Sequence, residues 1–201
     1  MHKAVVCLFV SIFIVQGLSL MSKMPSQAKV STMSLSSSTE DQVVFKSFKW
    51  EDLTVDSLYE MLRLRSDVFV VEQDCVFLDL DNEDQAAVHI IGTHRNRIVC
   101  CARIFGPDGS SDMTRIGRVV TVSDMRSKGV GRSLMLHAIE ECITKWPSAK
   151  IKIGAQAHLD SFYGQGTATK PGLGFVRVSE EYLEDGIPHV DMVLDKHMPP
   201  R

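Results

Sequence analysis

Residues 126–133 read Arg126-Ser127-Lys128-Gly129-Val130-Gly131-Arg132-Ser133. Two glycines let the backbone approach a bulky anion, and successive amides opening a helix can point at phosphate oxygens. Arg126, Lys128 and Arg132 add charge, and Ser133 adds a hydroxyl. The chemistry this pattern serves is the grip of a phosphate-bearing ligand. The spacing matches neither a Walker A loop nor G-x-G-x-x-G, so both are excluded. A solvated basic turn capped by glycine is the plainer alternative. His89, His158 and His189 carry imidazoles that titrate near neutrality and so qualify as bases. Glu72 qualifies to accept a proton or to bind a cationic amine. Arg103 and Arg118 interrupt apolar runs, where an unpaired guanidinium is costly. With Arg65 they qualify either to bind a ligand carboxylate or to hold Glu72 and Asp67.

These groups need elements to position them. Residues 43–48 alternate as a short strand. Thr54 reads as an N-cap, with Ser57 rather than Glu three residues on. The helix behind it carries Leu58, Met61, Leu62, Arg65 and Phe69 at helical spacing. Residues 79–85 are acidic and polar and are expected as a loop rather than core. Runs 86–93 and 98–105, joined by His94-Arg95-Asn96-Arg97, signal a hairpin. Residues 106–112 form a turn and 113–122 a third strand. Residues 131–146 form an amphipathic helix that Pro147 stops, with Leu134, Met135, Ala138, Ile139, Cys142 and Ile143 on its apolar side. A strand over 150–156, a short helix over 158–163, a Gly/Thr/Pro-rich loop over 164–174 and closing strands over 175–178 and 190–194 follow. Hairpin-linked strands with inserted helices imply a mixed α/β sheet rather than a doubly wound fold.

With these residues in view, a resemblance enters. Arg126-x-x-Gly129-x-Gly131, behind the strand Gly117-Arg118-Val119-Val120-Thr121-Val122, resembles the acetyl-CoA signature of the GNAT superfamily of N-acetyltransferases. The closer likeness is to its ElaA subfamily. It is carried by residues 62–73, Ala102-Arg103-Ile104, Ile116-Gly117-Arg118-Val119, Gly154-Ala155-Gln156-Ala157-His158-Leu159, Phe162-Tyr163 and residues 182–189, in order along nearly the whole domain. The resemblance implies the acyl-CoA N-acyltransferase fold: a mixed, mostly antiparallel sheet with splayed middle strands and flanking helices. It also implies acetyl-CoA as cosubstrate and no metal. In this reading the backbone of Val120 and Val122 pairs with the pantetheine arm, and the amides from Ser127 to Ser133 take the pyrophosphate.

The resemblance makes Tyr163 the phenol that donates to the departing sulfur, with His158, His189 or Glu72 as base. Arg65, His89, Arg103, Arg118 and Gln156 become candidates for contact with the acceptor, a small-molecule amine, amino-acid-like if the arginines face it. Gln156 stands where many members of the superfamily have Asn. One departure is marked. Gly174-Phe175 lie eleven and twelve residues after Tyr163 instead of four and five, so residues 164–171 hold extra chain beside the expected active site. The competing readings are a CoA-binding module disabled by that insertion and transfer of another acyl group.

Composition bounds the rest. The 201 residues are 44% hydrophobic and 23% charged, enough apolar chain for one packed domain. Of 22 basic side chains three are the lysines of residues 1–39, which hold no acid, leaving 19 against 25 acidic ones beyond. That acidic balance argues against nucleic-acid binding. Cys75, Cys100, Cys101 and Cys142 read as core thiols, with adjacent Cys100 and Cys101 pointing to opposite faces, and no zinc-site spacing is present. Residues 1–42 read as an apolar leader and Ser/Met-rich linker ahead of a transferase domain over 43–201. The apolar run is short for a membrane span. A signal peptide, an organellar presequence and internal starts at Met21, Met24 or Met33 are all compatible with it. Cytoplasm or mitochondrion is the favoured compartment, with the secretory pathway open, and edge strands leave a homodimer open.

Overall fold

The computed structural model describes residues 41–109 and 111–195. The leader expected over residues 1–42 lies almost wholly outside them. In chain order the strands are β1 (Val44–Lys49), β2 (Val88–His94), β3 (Arg97–Phe105), β4 (Thr114–Thr121), β5 (Ile151–Gln156), β6 (Val176–Arg177), β7 (Tyr182–Glu184) and β8 (Ile187–Leu194). The helices are α1 (Val55–Arg65), α2 (Val130–Lys145) and the one-turn α3 (Asp160–Tyr163). One sheet runs in the order β1-β2-β3-β4-β5-β8-β6, with β7 also on β8. Among the described residues only β4 and β5 pair in parallel; the other pairings are antiparallel.

Local chemistry accounts for the elements. The β2–β3 hairpin turns on Arg95 and Asn96, both at positive φ (49° and 61°), as a two-residue turn of matching twist requires. Thr54 caps α1, its hydroxyl accepting the Ser57 N–H at 3.2 Å. Beyond Arg65 the helix widens into a π-type turn over Ser66–Glu72, closed by Gln73 N–H to the Val68 carbonyl at 3.1 Å. The sequence spacing had implied regular helix through Phe69. α2 starts at Val130, behind its N-cap Gly129 at φ +83°, one residue earlier than its apolar pattern suggests.

Strand alternation feeds two cores, one on each face of the sheet. Cys100 packs with Leu134, Met135, Ala138 and Phe175, whereas Cys101 packs with Met61, Leu64, Val68 and Val120. The adjacent cysteines do face opposite ways, and all four described cysteines are buried and free. Ile143, expected on the apolar side of α2, is 39% exposed. The acidic connection is a loop, as expected, but not a solvated one: Asp79 and Asp84 are only 3% and 5% exposed. Among the described residues no helix is long and apolar enough to cross a membrane.

Candidate active site

The site begins as a defect in the sheet. β4 and β5 pair only at Thr114 with Ile151 and Arg115 with Lys152, then diverge toward their C-terminal ends. A bulge sharpens the divergence: two residues of β4, Arg118 and Val119, oppose Ala102 alone on β3. Arg118 takes φ +48° there, a left-handed conformation that a side chain adopts only when its surroundings hold it. The gap between the strands is a cleft of about 310 Å³. Gly117, Val119, Gly154, Ala155 and Gln156 line it from the two strands, and Tyr163, His189 and Phe69 line it from neighbouring elements.

Ladder register decides which backbone groups face that gap. The Val122 N–H donates to the Val99 carbonyl at 2.9 Å, across to β3. Antiparallel bonding repeats every second residue, so Val120, opposite Cys101, also spends its backbone on β3. This corrects the expectation that Val120 and Val122 pair with a pantetheine arm. Val119 and Thr121 are the residues whose backbone turns to the gap. The Thr121 carbonyl already accepts Arg126 Nε at 2.9 Å.

β4 leads directly into the glycine motif. Ser127 and Gly129 both have positive φ, 61° and 83°, which turns the chain sharply into α2. A Cβ at Gly129 would meet nothing within 4 Å, and one at Gly131 only Thr121 Oγ1 at 3.6 Å. The space in front of the helix start is open, and the first-turn amides have no partner within the helix. That arrangement fits a phosphate group. Ser133 is the exception: its N–H donates to the Gly129 carbonyl at 3.0 Å, so the free amides end at Arg132.

Two of the motif's charges are engaged elsewhere. Arg126 forms a bidentate pair with Glu72, with one contact at 2.8 Å. Glu72 therefore lies outside the cleft, and the Arg126 hydrogen bond holds its carboxyl below the usual range. Arg132 donates to the Pro171 carbonyl at 2.7 Å and the Gly172 carbonyl at 3.2 Å, holding the inserted segment. Lys128 remains exposed beside the glycines.

The insertion is extruded as a small hairpin. Gly174 N–H to the Gly164 carbonyl and Phe175 N–H to the Tyr163 carbonyl, both 2.9 Å, close its base. Thr167 N–H to the Lys170 carbonyl at 2.7 Å closes its tip. The strands approach so closely that a Cβ on Gly172 would stand 2.0 Å from the Gly164 carbonyl oxygen. Tyr163 keeps its place at the base, packed edge-on against Phe162 and Phe175. It is 8% exposed, lines the cleft, and its hydroxyl has no hydrogen-bond partner among the described residues and is not sealed off in the core. Burial pushes this phenol up to about 12.

The histidines separate clearly. His89 is 1% exposed, its Nε2 is 2.8 Å from the Asp84 carbonyl, and burial holds its pKa down. His158 is exposed and does not line the cleft. His189 does line it, stacked on Tyr182. Its Nδ1 lies 2.8 Å from the Ile187 carbonyl, which can only accept, so the neutral ring carries its proton there and leaves Nε2 with a free lone pair. Gln156 lines the cleft and donates to Gln73 Oε1 at 3.3 Å.

The three arginines answer to the acidic loop. Arg65, 1% exposed, donates to Asp79 at 2.9 Å, to Asp84 at 2.6 Å and to the Asp79 carbonyl at 3.0 Å. Arg103 binds Asp81 and Asp84, and Arg118 binds Asp79 at 2.8 Å and Asp81 at 3.1 Å. Neither Glu72 nor Asp67 is their partner. Arg115 pairs with Glu83 at 3.5 Å, so four arginines meet four acids. Arg103 and Arg118 line the cleft; Arg65 does not. Cys75 Sγ reaches the Asp185 carbonyl at 3.4 Å and links this loop region to the β7–β8 turn. Sequence reasoning missed Glu184 and Asp185 as cleft residues, although both stand in a quoted block. Among the described residues no His, Cys, Asp and Glu group is arranged to hold a metal.

Comparison with known proteins agrees with this geometry. A family model described as "Acetyltransferase (GNAT) domain" matches residues 34–196. Protein ElaA of Escherichia coli (strain K12) is 40% identical over 151 residues, 72% of this chain and 94% of that protein. The crystal structure of Escherichia coli ElaA aligns with a TM-score of 0.70 at 36% identity, covering 77% of this chain and 100% of that one. An acyl-CoA N-acyltransferase from Pseudomonas aeruginosa aligns with a TM-score of 0.69 at 34% identity, covering 76% and 99%.

Proposed function

This chain belongs to the GNAT acetyltransferase family, and on that premise we propose that it transfers an acetyl group from acetyl-CoA to the primary amine of a small molecule. The observation that carries the proposal is the buried, unpartnered Tyr163 phenol opening into the gap between β4 and β5. Acetyl-CoA supplies the activated acyl group as a thioester; the rest falls to the chain.

The free amides from Ser127 to Arg132 hold the phosphates, and Val119 and Thr121 offer backbone groups to the arm. His189 Nε2 accepts the proton that the amine loses as its nitrogen bonds to the acyl carbon. Tyr163 donates a hydrogen bond to the sulfur as the carbon–sulfur bond breaks. A phenol pushed up to about 12 is a weaker acid than an ordinary thiol near 8.5. Tyr163 therefore stabilises the departing thiolate as a donor, and solvent supplies the thiol proton. The closed base of the inserted hairpin supports an active enzyme, because it leaves Tyr163 packed and facing the cleft.

The test is acetyl-CoA thiol release on adding primary amines, for the full chain and for Tyr163→Phe. The hydroxyl has no partner, so the variant should keep the wild-type unfolding temperature and lose about 10²–10³ in kcat. Undiminished turnover in Tyr163→Phe would remove Tyr163 from the mechanism. No amine-dependent release by the wild type would remove the transferase reading.

A further inference from the structure

The charges in the cleft do not cancel evenly. Its lining cations are Arg103, Arg115, Arg118 and Lys152. Each has an acid: Arg103 has Asp81 and Asp84, Arg115 has Glu83, Arg118 has Asp79 and Asp81, and Lys152 has Asp191 at 2.7 Å. The acids lining the same cleft are Glu184 and Asp185, at the β7–β8 turn. Neither carboxylate has a cation within 4.0 Å among the described residues. Glu184 leans over the floor of the gap: a methyl on Gly154 would stand 4.0 Å from Glu184 Oε2 and 3.4 Å from Tyr182 Oη. Tyr182 donates its hydroxyl hydrogen to Asp191 at 3.1 Å and not to Glu184. The cleft's uncompensated charge is negative.

A second, independent feature marks the cleft as a ligand site: the Tyr163 hydroxyl opens into it from a side chain that is 8% exposed and has no partner. From these together we infer that the acceptor carries a second positive charge, as a diamine or polyamine does, and that Glu184 and Asp185 hold its distal ammonium. The inference rests on the transferase reading above and deepens it. It also reverses the expectation of an amino-acid-like acceptor, because the guanidiniums that would bind a carboxylate are already spent on Asp79, Asp81 and Asp84. A carboxylate entering beside Glu184 and Asp185 would meet like charge. His189, on the same side, donates to the Ile187 carbonyl and forms no ion pair with either acid among the described residues.

The experiment compares three acceptors of matched length with the full chain and acetyl-CoA: 1,4-diaminobutane, butylamine and 4-aminobutanoate. The diamine should exceed 4-aminobutanoate in kcat/KM by about tenfold or more, with butylamine between them, and rising salt should shrink the gap. The variant Glu184→Gln/Asp185→Asn should bring the diamine and the carboxylate within about threefold of each other, with an unaltered KM for acetyl-CoA. Turnover in which 4-aminobutanoate matches or beats the diamine would overturn the charge assignment and leave the transferase reading standing. So would a variant that keeps the full discrimination. No turnover with any of the three, together with no thiol release across wider amine screens, would overturn the transferase reading and this inference with it.

Discussion

Replacing Arg65 by methionine should cost a large share of an ordinary domain's stability margin. The substitution removes donors to Asp79 at 2.9 Å, to Asp84 at 2.6 Å and to the Asp79 carbonyl at 3.0 Å. Both acids stay in place with side chains 3% and 7% exposed. Each retains one guanidinium, Arg118 on Asp79 at 2.8 Å and Arg103 on Asp84 at 3.1 Å, but four arginines facing four acids become three. Breaking a buried ion pair by removing one partner costs about 3–5 kcal/mol. The surviving contacts place this case at the lower end, about 3 kcal/mol. With a urea m-value of about 2 kcal/mol per molar, the unfolding midpoint should fall by about 1.5 M. Tryptophan fluorescence in urea reads this directly, since Trp50 and Trp146 both lie in the described fold. The control is Arg63→Met, whose pairs with Glu60 and Asp67 are at the surface and should leave the midpoint where it was. Equal midpoints for the two variants would refute the view that this network holds the acidic loop against the sheet.

The same network sets the response to acid. The Arg103 hydrogen bond holds Asp81 far below the usual carboxylate range, and at Asp84 burial pushes upward but the Arg65 and Arg103 contacts prevail. Lowered folded-state values stabilise the protein above the unfolded pKa of about 4 and lose that contribution as pH falls beneath it. Unfolding temperature should accordingly hold from neutrality to about pH 4 and then drop steeply, more shallowly in Arg65→Met; a flat profile to pH 2.5 would contradict this. At the inserted hairpin, Arg132→Ala should release residues 165–172, speeding hydrogen exchange at Thr167 and Lys170. The wild-type unfolding temperature should survive, because the base is closed independently by Gly174 and Phe175. A large fall in unfolding temperature would mean that the hairpin supports the core.

What the sequence disclosed was local. The glycine motif, the α2 start, the Thr54 cap and the opposite faces of Cys100 and Cys101 depend on neighbours a few residues apart, and each has its counterpart in the structure. The arm partners that the resemblance implies along β4 are displaced by one residue, because a motif does not reveal which strand edge faces the gap without the pairing to Val99. The arginine partners were equally hidden. Arg65 meets acids 14 and 19 positions away, and Arg118 meets acids 37 and 39 positions away, so only the folded topology pairs them. Glu184 and Asp185 stand in a block that carries only the family likeness in the sequence, and it is the pairing of β7 and β8 that brings them over β5.

The central claim is that acetyl-CoA sits with its phosphates at the start of α2. Gly131→Leu tests it most directly, because a Cβ there meets only Thr121 Oγ1 at an ordinary 3.6 Å and the helical position tolerates leucine. Calorimetric titration of acetyl-CoA into the full-length wild type should saturate. The variant, folded and at least as heat-stable, should show no saturable binding. A wild type that does not bind, or a variant that binds as well as the wild type, would contradict the account.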